Sequence, residues 1–298
     1  MKKMLTIFAL ALTVSVQAQN DTLGVSKFTA IYLYECNTTN AAGEPVTDSM
    51  LIAVQSANGV TKSFPYDSYT RQVENKWDIA HTYMAACMHM GDVFVNYPAG
   101  RITVQEELYP YRYQTDASLD LPQWTLGDEQ DSLCGYLCQS AETKYHGKMW
   151  QAYYTEDVPT SIGPWKLGGL PGLITTVKDK EGIHTFTLCG LLNEEQPLVF
   201  TEYITWIVPE RSADGKMKFV KQRVDYQKMK ASKFLKHKAK MLNNPRYVQN
   251  PTYYAPNAMD AFGYQETRGS RISDRSFNTV AGVIIPTTVN AYQPLELK

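Results

Sequence analysis

The sequence predicts a mainly β fold of the α+β type, an antiparallel meander forming a curved sheet with two main helices. Three observations predict it. Runs with a period of two recur along the chain, short turn clusters separate them, and only two stretches take the period of a helix. Tyrosine, abundant at 20 residues, suits half-buried β surfaces.

Residues 1–18 read as an export signal. Lys2 and Lys3 precede an apolar run from Met4 to about Val14, and Val16-Gln17-Ala18 supplies a small-residue cleavage site. That run is too short to span a bilayer. No later stretch approaches about 18 uninterrupted apolar residues, so no transmembrane helix is expected. No cysteine follows the cleavage point, so no lipid anchor is expected there. The expected product is one exported domain over residues 19–298, in the periplasm, at the outer membrane or secreted.

Residues 26–36 alternate as a strand, and residues 49–57 form another. Over residues 68–90, Tyr69, Val73, Trp77, Ala80, Met84 and Cys87 recur at three and four, the spacing of one helix face. Pro98-Ala99-Gly100 punctuates two β runs as a hairpin, with a further short strand at 111–114. Three more hairpins are expected: 132–143 with 148–155, 171–178 with 183–190, and 199–208 with 216–224. Residues 225–243 read as the second helix, with Ala231, Phe234, Leu235, Ala239 and Leu242 as a narrow apolar stripe. The remainder, rich in Asn, Pro and Tyr, reads as irregular.

The chain carries 29 basic and 30 acidic residues, and −3 once Lys2 and Lys3 are removed, which argues against nucleic acid as a partner. Its charge is uneven. Residues 211–240 hold eleven Lys or Arg against Asp214 and Asp225, a balance of +9, while the rest of the mature chain stands at −12. The odd number of cysteines, Cys36, Cys87, Cys134, Cys138 and Cys189, leaves at least one thiol unpaired within the chain. On one strand, Cys134 and Cys138 would sit about 13 Å apart, too far to bridge.

Residues 163–179 concentrate conformational specialists. A phosphate loop is disfavoured, because Gly168-Gly169-Leu170-Pro171-Gly172 runs into the β-type Leu173-Ile174-Thr175-Thr176-Val177 and not into a helix. Pro171 presets φ and Gly172 can supply a positive φ, the pattern of a type II turn. Gly168 and Gly169 permit close backbone approach. Trp165 is either a buried anchor or an exposed stacking platform.

Gly169-Leu170-Pro171-Gly172-Leu173-Ile174 resembles the signature of the GLPGLI family. The likeness extends to Trp124, Cys134-Gly135-Tyr136-Leu137-Cys138-Gln139-Ser140-Ala141, Tyr145 through Thr155, Val158-Pro159 and Gly163-Pro164-Trp165-Lys166, and more loosely to Met50–Arg71 and Tyr292–Leu297. His146 and Lys148 depart from it, standing where the family commonly has arginine. The family is one of exported proteins of Gram-negative bacteria, so the resemblance implies location and kinship and no chemistry. The Gly135-Tyr136-Leu137-Cys138 strand and the meander are also similar to the open β-barrels of periplasmic lipoprotein carriers, which implies an open half-barrel.

Candidate sites follow. The ligand or partner site comprises Trp165, Lys166, Gly168, Gly169, Pro171, Gly172 and Tyr154, with Lys230, Lys233 and Lys236 as a basic contact for anionic lipid heads or an acidic partner. A solvated lysine face is the plainer reading of those lysines. Met84, Cys87, Met88 and His89 carry soft ligands that suit Cu(I), but they share the helix face of Trp77 and read more simply as core. No metal and no cofactor is expected. Glu106 and Glu107, adjacent on a strand, point to opposite faces and cannot act as a pair. The expected function is non-catalytic binding of an envelope protein or amphiphilic ligand. The alternative is a hydrolase-like enzyme using a site beside the glycine-rich turn, where Thr155, Glu156 and Asp157 could line it.

Overall fold

The computed structural model describes residues 20–40, 42–66, 90–108, 111–212, 217–244, 277–280, 283–286 and 291–297. The strands are β1 (Asn20–Ser26), β2 (Thr29–Thr39), β3 (Pro45–Ala57), β4 (Val60–Pro65), β5 (Asp92–Val95), β6 (Arg101–Leu108), β7 (Tyr111–Ser118), β8 (Thr125–Leu133) and β9 (Tyr136–Tyr145). They continue as β10 (Lys148–Thr155), β11 (Leu173–Asp179), β12 (His184–Leu192), β13 (Gln196–Thr201), β14 (Tyr203–Arg211), β15 (Met217–Asp225), β16 (Gln227–Lys230), β17 (Phe277–Val280) and β18 (Val283–Pro286). Twelve of them form one sheet, in the order β16-β7-β6-β5-β4-β3-β2-β12-β11-β10-β9-β8. Every neighbour in it is antiparallel except β16 on β7. The sheet does not close on itself: β16 and β8 are its edges.

Alternation sets the inner face. Along β10, Lys148, Trp150, Ala152 and Tyr154 are buried, while Met149, Gln151 and Tyr153 are less so. Tyr32, Tyr34, Ile52, Val54, Leu173, Val177 and Phe186 join them in the main core. The other face is apolar at Ile31, Ala53 and Phe64. The β1–β13 ribbon adds Leu198 and Phe200 to a further cluster with Phe94 and Val60.

The hairpins expected at Pro98–Gly100, Tyr145–Gly147 and Asp179–Gly182 are present. Several expectations need correction. The run 132–143 is not one strand: Cys134 and Gly135 take φ of +54° and +83° and turn the chain between β8 and β9. Cys134 therefore lies in a turn, and a spacing computed along a strand does not describe it. The run 199–208 divides at Glu202, β13 pairing with β1 and β14 with β15. The region after residue 243 includes the β17–β18 ladder.

One helix stands among the described residues, α1 (Ala231–Leu242), shorter than the expected 225–243 because residues 227–230 pair with β7 instead. The helix expected over 68–90 falls, but for Met90, outside the described residues, and with it the cluster Met84, Cys87, Met88 and His89. No helix of the described residues is long and apolar enough to cross a membrane. Cys134, Cys138 and Cys189 are free thiols.

Candidate functional site

The glycine-rich segment joins β10 to β11 and packs into the core. Trp165, Leu167, Leu170, Leu173 and Ile174 are all buried in the main cluster. Trp165 takes φ +55° and donates its backbone N–H to Ser63 Oγ at 2.9 Å. Its ring lies about 6 Å from those of Tyr145, His146 and Trp150. It is a buried anchor, not an exposed platform. Gly172 has no positive φ, which corrects the type II turn. A Cβ there would sit 2.0 Å from the Thr155 carbonyl oxygen, so glycine is required by close approach to the end of β10. Within Gly168–Gly172 the residue with positive φ is Gly169, at +103°. Gly168 does permit close approach, since its Cβ would fall 2.8 Å from Ser161 O, and its carbonyl accepts from Trp124 Nε1 at 3.0 Å. Pro171 is exposed. Tyr154 is fully buried and donates to Gln139 Oε1 at 2.9 Å.

Lys166, alone among these candidates with an ionic side chain, faces a cavity of about 60 Å³ bounded by the sheet, α1 and the C-terminal segment 291–297. Four charges meet around it. Lys238 of α1 donates to Glu106 of β6, and Lys166 donates to Glu296. His146 Nδ1 lies 3.5 Å from the second oxygen of Glu296, and Lys238 Nζ lies 5.7 Å from the Tyr292 ring centre. Burial pushes the Glu106 carboxyl above its ordinary range, with Lys238 and Lys166 opposing and Glu296 reinforcing. Burial would lower Lys238, but Glu106, Tyr292 and Glu296 outweigh it and raise it. Burial also raises the Tyr292 phenol. The arrangement keeps charge inside the fold by mutual pairing, with room beside it for little more than water.

A second polar network lies deeper. Asp179 accepts from Lys148 Nζ at 2.8 Å and from the backbone N–H groups of Ile183 and His184 at 2.7 and 2.9 Å. Burial alone would raise Asp179, but these donors outweigh it and hold its carboxyl below the usual range. The His184 ring lies between the Tyr34 hydroxyl, 2.9 Å from Nδ1, and the Pro294 carbonyl, 3.2 Å from Nε2. A carbonyl only accepts, so Nε2 carries a proton.

The candidate lysines at the helix are separate from the cavity. Lys228, Lys230, Lys233, Lys236 and Lys240 are exposed, while Phe234, Lys238 and Leu242 are buried. At 100° per residue, Lys233, Lys236 and Lys240 fall within about 60° of arc, on the side opposite the docked face. His237 flanks that stripe, with Nε2 3.3 Å from the Tyr113 hydroxyl. Burial lowers its pKa, and the positive charges of Lys240 and Lys233 lower it further.

Sequence reasoning missed Lys238, Glu106, Glu296, Asp179 and His184 as a connected set. A signal existed for the first two. Lys238 lies four residues from both Phe234 and Leu242, on the apolar stripe, and Glu106 is in phase with the inward Ile102. Among the described residues, no cluster of three or more His, Cys, Asp or Glu could hold a metal.

No family model and no curated protein matches the chain. Two solved structures of PNGF-II, in P21 and C2 space groups, overlap it at 13% identity, with TM-scores of 0.41 and 0.39. Each overlap covers 70% of this chain and 32% of PNGF-II, so the chain spans about a third of that protein's length. A likeness this slight carries no argument about the chain.

Proposed function

We propose that this chain is an exported, GLPGLI-type protein of the cell envelope that binds without catalysis, holding an anionic lipid surface through the outer stripe of α1. The lysine stripe opposite the docked helix face is the observation that carries the reading. The apolar side of α1 is committed to the protein, so the contact is electrostatic and involves no insertion. A flat array of headgroup phosphates matches three lysines on one line, each worth about 1 kcal/mol near an anionic surface. The pattern of residues 1–18 and the resemblance support the exported location. The inner face supports surface binding over an enclosed amphiphile, because Trp165, Leu167 and Leu170 occupy it and the cavity is about 60 Å³. Curvature into an open half-barrel belongs to the same proposal. It is supported by Cys134, in the β8–β9 turn, reaching Leu188 on β12.

Cosedimentation with vesicles containing phosphatidylglycerol at low salt tests it. The parent protein should be retained and released as salt rises, since surface charges act over about 8 Å at physiological strength. Replacing Lys233, Lys236 and Lys240 by Gln should weaken retention roughly 100-fold. Equal retention of both proteins would return the stripe to a solvated lysine face. Binding to polyglutamate without vesicle binding would make the partner an acidic protein.

The convergence of Glu106, Lys238, Lys166 and Tyr292 on one cavity favours a second reading, an enzyme with acid–base groups beside the glycine-rich segment. Turnover of an ester or amide substrate that Lys166→Met abolishes, with the melting temperature unchanged, would support it.

A further inference from the structure

The β8–β9 hairpin ends in a free thiol that lands on two irregular strands. Cys134, at φ +54° in the turn, places Sγ 3.2 Å from the Leu188 carbonyl oxygen of β12 and 3.9 Å from the Thr175 carbonyl oxygen of β11. Both contacts fall at breaks in the ladder. Thr175 is the extra residue where β11 slips against β10, and Cys189 is the extra residue where β12 slips against β2. Such bulges bend the strand and re-aim side chains. Covalent geometry then sets a bound: the Leu188 oxygen lies about 2.8 Å from the next Cα, so Cys134 Sγ is within about 6 Å of the Cys189 Cα. Both thiols are exposed, whereas Cys138 is buried with its sulfur 3.2 Å from Thr175 Oγ1.

We infer that Cys134 and Cys189 are a redox-modifiable pair that forms a disulfide, fastening the tip of the edge hairpin to β12. The oxidant is a small disulfide such as oxidised glutathione. One protein thiolate attacks a glutathione sulfur and releases a glutathione thiolate. The second protein thiolate then displaces glutathione from the mixed disulfide. Two protein thiols and one glutathione disulfide give one protein disulfide and two glutathione thiols, which take up the two protons. An exported location supplies a compartment where such a bond persists. Burial, with Cys138 and Cys189 adding to it, raises the Cys134 pKa, so its neutral form is favoured. Bond formation should accelerate as pH rises above neutrality.

The test is peptide mapping of the full chain after exposure to oxidised glutathione at pH 8 and alkylation of the remaining thiols. Combined trypsin and chymotrypsin, cutting after Tyr136, separates Cys134 from Cys138. The expected product is a Cys134 fragment joined to a Cys189 fragment, two hydrogens lighter than their sum. In Cys189→Ser that product should vanish and Cys134 should carry glutathione instead. Cys134 joined to Cys138, or both Cys134 and Cys189 recovered alkylated in the parent protein, would overturn the inference.

Discussion

Lys238 and Glu106 form an ion pair inside the fold, each only 7% exposed, where a helix crosses the sheet. Removing one partner of a buried pair leaves the other uncompensated, at about 3–5 kcal/mol. Lys238→Met should lose that much stability at pH 8. The Glu106 carboxyl has its folded pKa raised, so its contribution is full below its unfolded value of about 4.3 and is lost as pH rises through the folded value. Without Lys238, which opposes the burial, the Glu106 carboxyl is pushed up further and is neutralised on acidification, so the deficit of Lys238→Met should shrink as pH falls from 8 to 5. Urea unfolding at both pH values checks this, and a deficit independent of pH would contradict it. Replacing both residues, as Glu106→Leu with Lys238→Met, should recover most of the loss.

Asp179 should behave in the opposite sense. Its folded pKa is lowered, so its contribution is present above the unfolded value of about 3.9 and is lost as pH falls through the folded value. Asp179→Asn should cost about 3–5 kcal/mol at neutral pH by leaving the buried Lys148 only the exposed Glu181, 3.8 Å away, and should flatten the acid limb of the stability curve below about pH 4. Thermal melts at pH 3 and 7 would show the change. An unchanged acid limb would mean that Asp179 does not govern it.

What was legible in the sequence follows the physics of each element. Hairpins with punctuated turns, such as Pro98–Gly100 and His146-Gly147, could be read because turn residues act locally. Strand β8, Thr-Leu-Gly-Asp-Glu-Gln-Asp-Ser-Leu, could not, because an edge strand exposed on most positions loses its alternation. Strand β4 hides for another reason. Lys62 in it is buried, its ammonium donating to Val199 O at 3.1 Å and lying 3.0 Å from Asp92, so the polar residue does not mark the outer face. Lys238, on the apolar stripe of α1, is hidden for the same kind of reason, since its partner Glu106 lies on a strand distant in sequence. In the glycine-rich segment the type II turn expected at Pro171-Gly172 is absent; Gly172 serves a close approach, and long-range approach leaves no local trace.

That distinction separates two glycine substitutions. In Gly172→Ala the new methyl would lie 2.0 Å from Thr155 O and 2.6 Å from its carbonyl carbon, both backbone atoms that cannot swing aside. The loss should reach the upper end of overpacking penalties, about 3 kcal/mol or more. In Gly169→Ala the nearest atom to the new methyl is 3.9 Å away on Trp124, and only the left-handed backbone resists, at about 1–2 kcal/mol. Chemical denaturation of the two variants should rank Gly172→Ala as the weaker protein. Equal midpoints would mean that the β10–β11 connection yields more than its geometry indicates.

His237 reports on the field of the lysine stripe. Burial lowers its pKa first, and Lys240 and Lys233 lower it further by repulsion. A histidine depressed in this way adds stability above its unfolded value of about 6.5, and that stability is lost as pH falls through the folded value. Replacing Lys233 and Lys240 by Gln removes the repulsion, so the pKa should rise toward the ordinary value. Anionic vesicles should produce the same upward movement in the parent protein, because headgroup phosphates cancel the lysine charge at the same site. Titration of the His237 ring proton by NMR reads the parent protein and the double variant, each with and without vesicles. The rise should be smaller for the double variant on vesicles, which has lost most of the charge that draws the surface in. If the ring titrates identically with and without vesicles in the parent protein, the stripe does not meet an anionic surface, whatever its exposure.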